Sequence, residues 1–279
     1  INNRINKKMH KKYKKNNKIE RLYRGVKVEW VIDICLLIFL LYQFHFRDKI
    51  NLFSKFQSSF NEYINKTTGK TIVIKSDIVQ LDNLYCTYIS NIIFQDSKLE
   101  LIGNWVFNAT NIKSIKIPSS VKMIGENAFS ECSSLQTVEF EKNSSLKIIG
   151  YNAFSKSSIN KILIPSSVTE IHENAFSNCI NLTEIEFEEN SKLQTIENHA
   201  FASTSIISIE IPSNVDVLEN NVFLSCKQLV KVTFSPNSQL IKISGYAFSE
   251  STIQYLEIPS KVSILERYWS FNTLNLKFV

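Results

Sequence analysis

Most of the chain carries a short hydrophobic pattern that recurs every 22 or 25 residues. Its core is Leu/Ile-x-x-Ile/Val-x-Ile/Phe, as in Leu135, Val138 and Phe140, and its last positions alternate between apolar and polar residues. Alternation with a period of two is typical of a β-strand with one buried face. A step of this length cannot hold two full helices, but it suits one strand and a tight return. The pattern therefore predicts copies of one short strand, stacked in parallel.

Three residue types fix the full period at 47 residues. Self-similarity at a fixed period indicates a solenoid, in which each unit covers the apolar face of its neighbour. The series are Pro118, Pro165, Pro212 and Pro259; Cys132, Cys179 and Cys226; and, in alternating steps of 22 and 25, Phe107, Phe129, Phe154, Phe176, Phe201, Phe223 and Phe248. We therefore predict a strand-dominated α/β-solenoid, an arc of stacked 22/25-residue half-repeats with parallel strands.

A second motif, Ile-Gly-Glu-Asn-Ala-Phe at 124–129, has relatives at 149–154 and 171–176. It brings a small residue and a phenylalanine to the same point of each half-repeat. Burying each ring would contribute roughly 2–3 kcal/mol. The motif predicts a continuous column of buried phenylalanines.

The combined pattern, Ile-Pro-Ser-Ser-Val-x-x-Ile-x-x-x-Ala-Phe-Ser-x-Cys-x-x-Leu-x-x-Ile/Val-x-Phe, closely resembles the BspA-like (Treponema pallidum type) leucine-rich repeats. The resemblance covers roughly residues 70–279. Members of that family are typically surface or secreted adhesion and interaction proteins of bacteria and protists, so the resemblance implies a binding role. Two departures occur: 72–94 lacks the Ala-Phe pair, and Trp269 and Ser270 replace it near the end. Each half-repeat would form one coil of the solenoid. We expect a degenerate first coil and a truncated last half-repeat.

The residues before the repeats divide into three segments. Residues 1–27 carry eleven Lys or Arg and one Glu, a net charge of +10, and are predicted to form a basic disordered tail. Residues 47–70 place Phe53, Phe56, Phe60 and Tyr63 at helical spacing, which predicts a linker or capping helix before the solenoid at 71–279.

The middle segment, 28–46, contains the apolar run Trp30 to Phe46. Its length is near the lower limit for a membrane span. The basic residues before it would leave the N-terminus in the cytoplasm and the repeats outside. We predict a membrane-anchor helix. The alternatives are an amphipathic or buried helix that packs on the first repeat, and a sequence that is unrelated to the mature protein.

Charge and cysteine spacing exclude other classes. The whole chain is +6, so residues beyond the tail are about −4, which argues against a nucleic-acid-binding repeat face. Cys132, Cys179 and Cys226, with Cys86 as a fourth candidate, share one repeat position. Equivalent positions two coils apart lie about 10 Å from each other, too far for a disulfide. The spacing predicts buried free thiols.

No catalytic constellation occurs in the sequence. Two of the four histidines, His10 and His45, lie before the repeats, and His172 and His199 occupy variable turn positions. No Gly-rich phosphate loop, nucleophile elbow or metal-ligand spacing is present. We expect no enzyme activity, no metal and no cofactor. Four Asn-x-Ser/Thr sequons, at Asn65, Asn108, Asn143 and Asn181, mostly reflect the Asn- and Ser-rich composition, and some of them can carry glycans only if the repeats lie outside the cell.

The residues between the buried strand positions define the exposed face of the predicted sheet. The face is mixed with an acidic bias, which indicates either a solvated surface or a site for proteins with basic patches. The candidate ligand-binding residues are Glu139, Lys161, Leu163, Glu184, Glu186, Glu210, Lys231, Tyr255 and Glu257. Two functions remain open: a membrane-anchored surface protein that binds host, matrix or cell-surface proteins, and an intracellular repeat scaffold with a basic tail.

Overall fold

A computed structural model describes residues 71–74, 78–81, 89–95, 97–273 and 277–278. The predicted tail (1–27), membrane anchor (28–46), capping helix (47–70) and Cys86 lie outside the described residues. None of the described residues belongs to a helix with the length and hydropathy of a membrane span.

The described chain is a solenoid of short parallel strands. Nineteen strands form three sheets, which contain two, nine and eight strands. The strands are β1 (Thr71–Ile74), β2 (Gln80–Leu81), β3 (Asn91–Phe94), β4 (Leu101–Ile102), β5 (Ser114–Ile117), β6 (Met123–Ile124), β7 (Thr137–Phe140), β8 (Ile148–Ile149), β9 (Lys161–Ile164), β10 (Glu170–Ile171), β11 (Glu184–Phe187), β12 (Thr195–Ile196), β13 (Ser208–Ile211), β14 (Val217–Leu218), β15 (Lys231–Phe234), β16 (Lys242–Ile243), β17 (Tyr255–Leu256), β18 (Ile264–Leu265) and β19 (Lys277–Phe278).

Each coil supplies one strand to each of two main sheets. Odd-numbered strands from β5 to β19 form the eight-stranded sheet, called here the front sheet, and even-numbered strands form the nine-stranded back sheet. In β9 the front-sheet pattern is Lys161 exposed, Ile162 buried, Leu163 exposed and Ile164 buried. All pairings in both sheets are parallel. The prediction of stacked parallel strands is therefore confirmed.

A third hydrogen-bond ladder runs through the Ala-Phe turns. The N–H of Phe129 donates to the carbonyl of Ala153 (2.7 Å), and the N–H of Phe154 donates to Ala175 (2.8 Å). These donors point toward the next coil, whereas the N–H of Gly125 donates back to Ile102 in the previous coil. The turns therefore hold adjacent coils together as the sheets do, which satisfies backbone groups that would otherwise be buried without partners.

Two residues in each turn have the left-handed backbone conformation, one on either side of Ala-Phe-Ser. Their φ angles, and those of a third group in the longer loops, lie between 52° and 62°. The first group is Trp105, Asn127, Asn152, Asn174, His199, Asn221, Tyr246 and Tyr268; the second is Ala109, Glu131, Lys156, Asn178, Ser203, Ser225, Glu250 and Asn272; the third is Asn143, Asn190 and Asn237. Asparagine is frequent here because its side chain tolerates this conformation.

The predicted column of phenylalanines is present in the core. Seven rings, from Phe107 to Phe248, are almost fully buried. Successive ring centroids are 5.2–5.6 Å apart, and the ring planes differ by no more than 24°. At the end of the column, Trp269 meets Phe248 edge to face at 6.3 Å. The sequence departure at Trp269 and Ser270 therefore changes the stacking geometry in the last described coil.

The three cysteines of the described chain, Cys132, Cys179 and Cys226, are buried free thiols, as predicted. The thiol of Cys179 donates to the carbonyl of Phe154 (3.0 Å), and its sulfur lies 3.3 Å from the hydroxyl of Ser157. Burial raises the pKa of Cys179 and Cys226 from 9.0 to about 11, and raises that of Cys132 in the same direction. These thiols stay protonated at neutral pH and act as hydrogen-bond donors.

Candidate protein-binding face

The nine candidate ligand-binding residues predicted from the sequence lie on one surface of the front sheet. All nine lie on the polar side of its strands, and Glu184 alone is half-buried while the rest are exposed. Strand alternation places them there, because residues two apart in a strand point the same way. They are Glu139 in β7, Lys161 and Leu163 in β9, Glu184 and Glu186 in β11, Glu210 in β13, Lys231 in β15, and Tyr255 and Glu257 in or beside β17. We call this surface the front face.

Strand register sets which of these residues are neighbours. Lys161 lies opposite Glu184, and Leu163 lies opposite Glu186, across the β9–β11 pair. The Lys161 ammonium forms an ion pair with the Glu184 carboxylate, which raises the pKa of Lys161 and lowers that of Glu184. Glu184 is thus neutralised by its neighbour, whereas Glu186 has no ion-pair partner among the described residues.

A depression of about 960 Å³ lies over β11 and β13. Five glutamates and a single lysine, Lys161, line it. In it the carboxylate of Glu210 accepts a hydrogen bond from the Ser235 hydroxyl (2.7 Å). The lining glutamates are Glu184, Glu186, Glu188, Glu189 and Glu210. The acidic bias predicted for the whole face is therefore concentrated in its centre.

A second depression, of about 1110 Å³, lies over β15 and β17. Its lining includes Lys231, Lys261, Glu257 and the exposed ring of Tyr255. The charges there are mixed rather than acidic. The front face therefore has two adjoining regions that differ in charge and in aromatic content.

Sequence reasoning missed two apolar residues at the edge of the front face. Ile207 and Val230, which immediately precede β13 and β15, are 52% and 44% exposed. They lie in neighbouring coils, where the N–H of Val230 donates to the carbonyl of Ile207 (3.0 Å). Alignment of the repeats contains the signal, because Lys113, Gln136, Asn160 and Thr183 occupy this position in earlier coils. An apolar pair in a polar column extends the candidate binding surface.

The histidines of the described chain take part in local structure. Nε2 of His172 lies 2.9 Å from a carboxylate oxygen of Glu170, and its ring packs on Tyr151 at 4.8 Å. His199 is one of the left-handed turn residues. Within the described ranges, no group of three or more His, Cys, Asp or Glu side chains is arranged to hold a metal ion.

Three solved structures are similar to the described chain. The pneumococcal vaccine antigen PcpA has 20% sequence identity and a TM-score of 0.50, over 75% of this chain and 61% of that chain. A leucine-rich repeat protein from Bacteroides ovatus has 23% identity and a TM-score of 0.48, over 67% of this chain and 53% of that one. The T. pallidum leucine-rich repeat protein has 24% identity and a TM-score of 0.48, over 64% of this chain and 81% of that one. The likeness to PcpA shows a common fold.

The chain thus spans about three fifths of the PcpA structure and about half of the B. ovatus structure. No curated protein matches it. Family membership comes from the sequence profile of the BspA type leucine rich repeat region, which matches residues 61–168 and 147–277 in six copies. Together the two matches cover the stacked coils, the phenylalanine column and the front face, and the chain belongs to the BspA-type leucine-rich repeat family.

Proposed function

We propose that this chain is a non-catalytic binding module, anchored in a membrane by Trp30 to Phe46, that displays its repeats outside the cell and binds other proteins or matrix through the front face. Leucine-rich repeat proteins generally mediate protein–protein interactions, and their fold is typically non-enzymatic. The observation that carries the site is the front face itself, the exposed polar side of the parallel strands β5 to β17 with an acidic centre.

Several features of the face favour protein partners with basic surfaces. The carboxylates of Glu186 and Glu210 lie on adjacent strands and would attract lysine or arginine side chains. Leu163 and Tyr255 are exposed on the same surface and offer apolar contacts. Large exposed side chains at the centre of an interface contribute most of its binding energy, whereas rim charges mainly set the association rate.

The anchoring half of the proposal is tested by protease shaving of intact cells, followed by detection with an antibody against the repeats. Loss of the repeat signal is the expected result. Protection in intact cells combined with digestion in lysed cells would favour the intracellular scaffold, an alternative with which the three buried free thiols are compatible. Release of the chain from membranes by alkaline extraction would contradict the anchor at 28–46.

The binding half is tested by charge reversal. We expect Glu186→Lys combined with Glu210→Lys to weaken binding of the full chain at least tenfold to any protein it captures from a panel of purified matrix and cell-surface proteins. A matched double variant, Glu131→Lys with Asp216→Lys, reverses two exposed carboxylates that lie outside the front sheet and should bind like the wild type. Unchanged binding of the first variant to every captured protein would contradict the assignment of the site.

A further inference from the structure

Three sequons for N-linked glycans fall within the described residues, at Asn108, Asn143 and Asn181. Transfer of a glycan to a folded protein needs more than the sequence triplet, because the asparagine amide and the hydroxyl two residues later must both be reachable. The three sites differ sharply in this respect.

Asn108 is held inside the turn ladder. Its Nδ2 donates a hydrogen bond to the carbonyl of Ser130 (3.0 Å). The hydroxyl of its sequon partner, Thr110, is 1% exposed and lies 3.3 Å from the sulfur of Cys132. A glycan on Asn108 would displace a bond between coils, and the buried hydroxyl cannot be reached from solvent.

Asn143 and Asn181 are open to solvent. Asn143 is exposed and left-handed (φ 58°) in the loop after β7. Asn181 is exposed in the segment before β11, and its sequon partner Thr183 is exposed as well. Neither asparagine side chain forms a hydrogen bond with another described residue. Both amides can therefore react without breaking a hydrogen bond of their own. Of the two sequon hydroxyls, that of Ser145 is half-buried, and that of Thr183 is exposed and donates to the carbonyl of Asn160 at 3.3 Å.

We propose that Asn143 and Asn181 are N-glycan acceptor sites of the folded protein and that Asn108 is not. The donor is a lipid-linked oligosaccharide. The bond from Nδ2 to the anomeric carbon forms, the bond from that carbon to the pyrophosphate oxygen breaks, the lipid pyrophosphate leaves with the electron pair, and the Nδ2 proton passes to a base of the transferase. This inference rests on the proposed display outside the cell, because an exported chain crosses a membrane in which such lipid-linked donors are presented.

The two sites occupy opposite edges of the front sheet. Asn143 follows the C-terminal end of β7, and Asn181 precedes the N-terminal end of β11. Because the strands are parallel, these ends lie on different edges of the sheet. Glycans there would flank the front face near β7 to β11. They would leave both ends of strands β13 to β17 uncovered. The two modifications therefore restrict large partners at one half of the face only.

The test uses the purified, unglycosylated full chain as the acceptor for a solubilised oligosaccharyltransferase and a defined lipid-linked oligosaccharide, with sites assigned by peptide mass spectrometry. The folded chain should gain glycans at Asn143 and Asn181 and none at Asn108. Peptides from a digest of the same chain should be modified at all three positions, which shows that the folded structure causes the difference. Asn143→Gln and Asn181→Gln should each remove one glycan.

A variant with a new sequon tests whether the exposed loop conformation is enough to make an asparagine an acceptor. Asn190 lies one 47-residue repeat after Asn143, is likewise exposed and has the same φ of 58°, but its triplet ends in Lys192. Lys192→Ser completes a sequon there and should add one glycan to the folded chain. The proposal fails if Asn108 of the folded chain is modified, or if Asn143 and Asn181 stay unmodified while their peptides react. Protease shaving of intact cells tests independently whether the repeats are displayed outside the cell. Failure of the proposed function can therefore be distinguished from failure of the proposed glycan sites.

Discussion

At the scale of single residues, the stability of the fold is reduced by backbone conformations that are unfavourable for most side chains. Nineteen non-glycine residues of the described chain have positive φ. Asparagine occupies nine of these positions, while the others hold residues such as Ala109 and Ser203 that gain nothing from the left-handed conformation. Such a residue costs roughly 1–2 kcal/mol relative to glycine in that conformation. The turns therefore contain sites where a smaller residue would stabilise the protein.

Ala109→Gly should stabilise the protein by about 0.5–1 kcal/mol, since relief of the left-handed conformation exceeds the added entropy of the unfolded chain. Ala109 is exposed, so no packing is lost. Urea unfolding monitored by circular dichroism measures the change. Lys113→Gly, at an exposed position of the same coil without positive φ, should instead destabilise it. Equal loss of stability in both variants would contradict the conformational explanation.

The position of the buried cysteines in the repeat is defined by a hydrogen bond between coils. In the last described coil, the hydroxyl of Thr273 donates to the carbonyl of Phe248 (3.1 Å), as the thiol of Cys226 donates to Phe201 (3.1 Å) one repeat earlier. The position therefore requires a small donor rather than sulfur chemistry. The cysteine series, whose spacing predicts buried free thiols, is therefore explained by this hydrogen bond between coils.

A pH dependence follows from these thiols. Burial raises the pKa of Cys179 and Cys226 from 9.0 to about 11, so the folded protein keeps protons that the unfolded chain releases. Their contribution is fully present below pH 9 and is lost as the pH rises toward 11. The free energy of unfolding should therefore fall across that window.

Cys179→Ser combined with Cys226→Ser keeps a donor at each site and removes the titrating group. Urea unfolding at a series of pH values from 8 to 10.5 should show a smaller loss of stability in this double variant than in the wild type. If the two proteins lose the same free energy, other groups titrate in this window and the thiols do not control it.

At the scale of elements, the sequence predicts the long strands well and the short ones poorly. Alternation in Leu135, Val138 and Phe140 correctly predicted β7. Two-residue strands such as β6 are too short to show a period, and the turn ladder is built from backbone groups that leave no trace in side-chain hydrophobicity. The phenylalanine spacing was recognisable because every ring occupies the same place in its coil.

The phenylalanine column provides a test of coupling between elements. Phe176 lies between the rings of Phe154 and Phe201, with centroids 5.3 and 5.6 Å away. Phe176→Ala should destabilise the protein by about 3–5 kcal/mol, because it removes a fully buried ring and leaves a cavity. Tyr151→Ala, which truncates a half-exposed ring, should cost less than about 1 kcal/mol. Thermal unfolding of both variants measures the difference, and similar melting temperatures would contradict a continuous core.

At the scale of the whole molecule, each coil is stabilised by its two neighbours. The sequence predicted which side chains of the front face are exposed, because exposure follows from alternation within one strand. It did not predict the Lys161–Glu184 ion pair, because alternation within one strand does not show which side chains of the neighbouring strand form a contact. The Ile207–Val230 pair was missed because it is visible only when this position is compared across the aligned repeats. Lateral contacts of this kind turn a row of exposed residues into a candidate site.

Dependence on neighbours also predicts where the described solenoid is weakest. Leu218 and Leu265 hold the same place in the back sheet, two coils apart, through the register of β14, β16 and β18. Leu218 is fully buried, whereas Leu265 is 47% exposed. Leu218→Ala should cost about 2–5 kcal/mol, while Leu265→Ala should cost about 1 kcal/mol or less, because little apolar contact is lost.

Urea unfolding of the two variants provides this comparison, and because the substitution is the same in both, most propensity and unfolded-state effects cancel. Hydrogen exchange should agree, with faster exchange in β18 than in β14, since a coil that lacks cover on one side opens locally at lower cost. A large cost at Leu265, together with strong protection of β18, would mean that another part of the protein or a second molecule covers this coil in solution. The exposure of a leucine in the described residues would then not be enough to predict how much its truncation destabilises the protein.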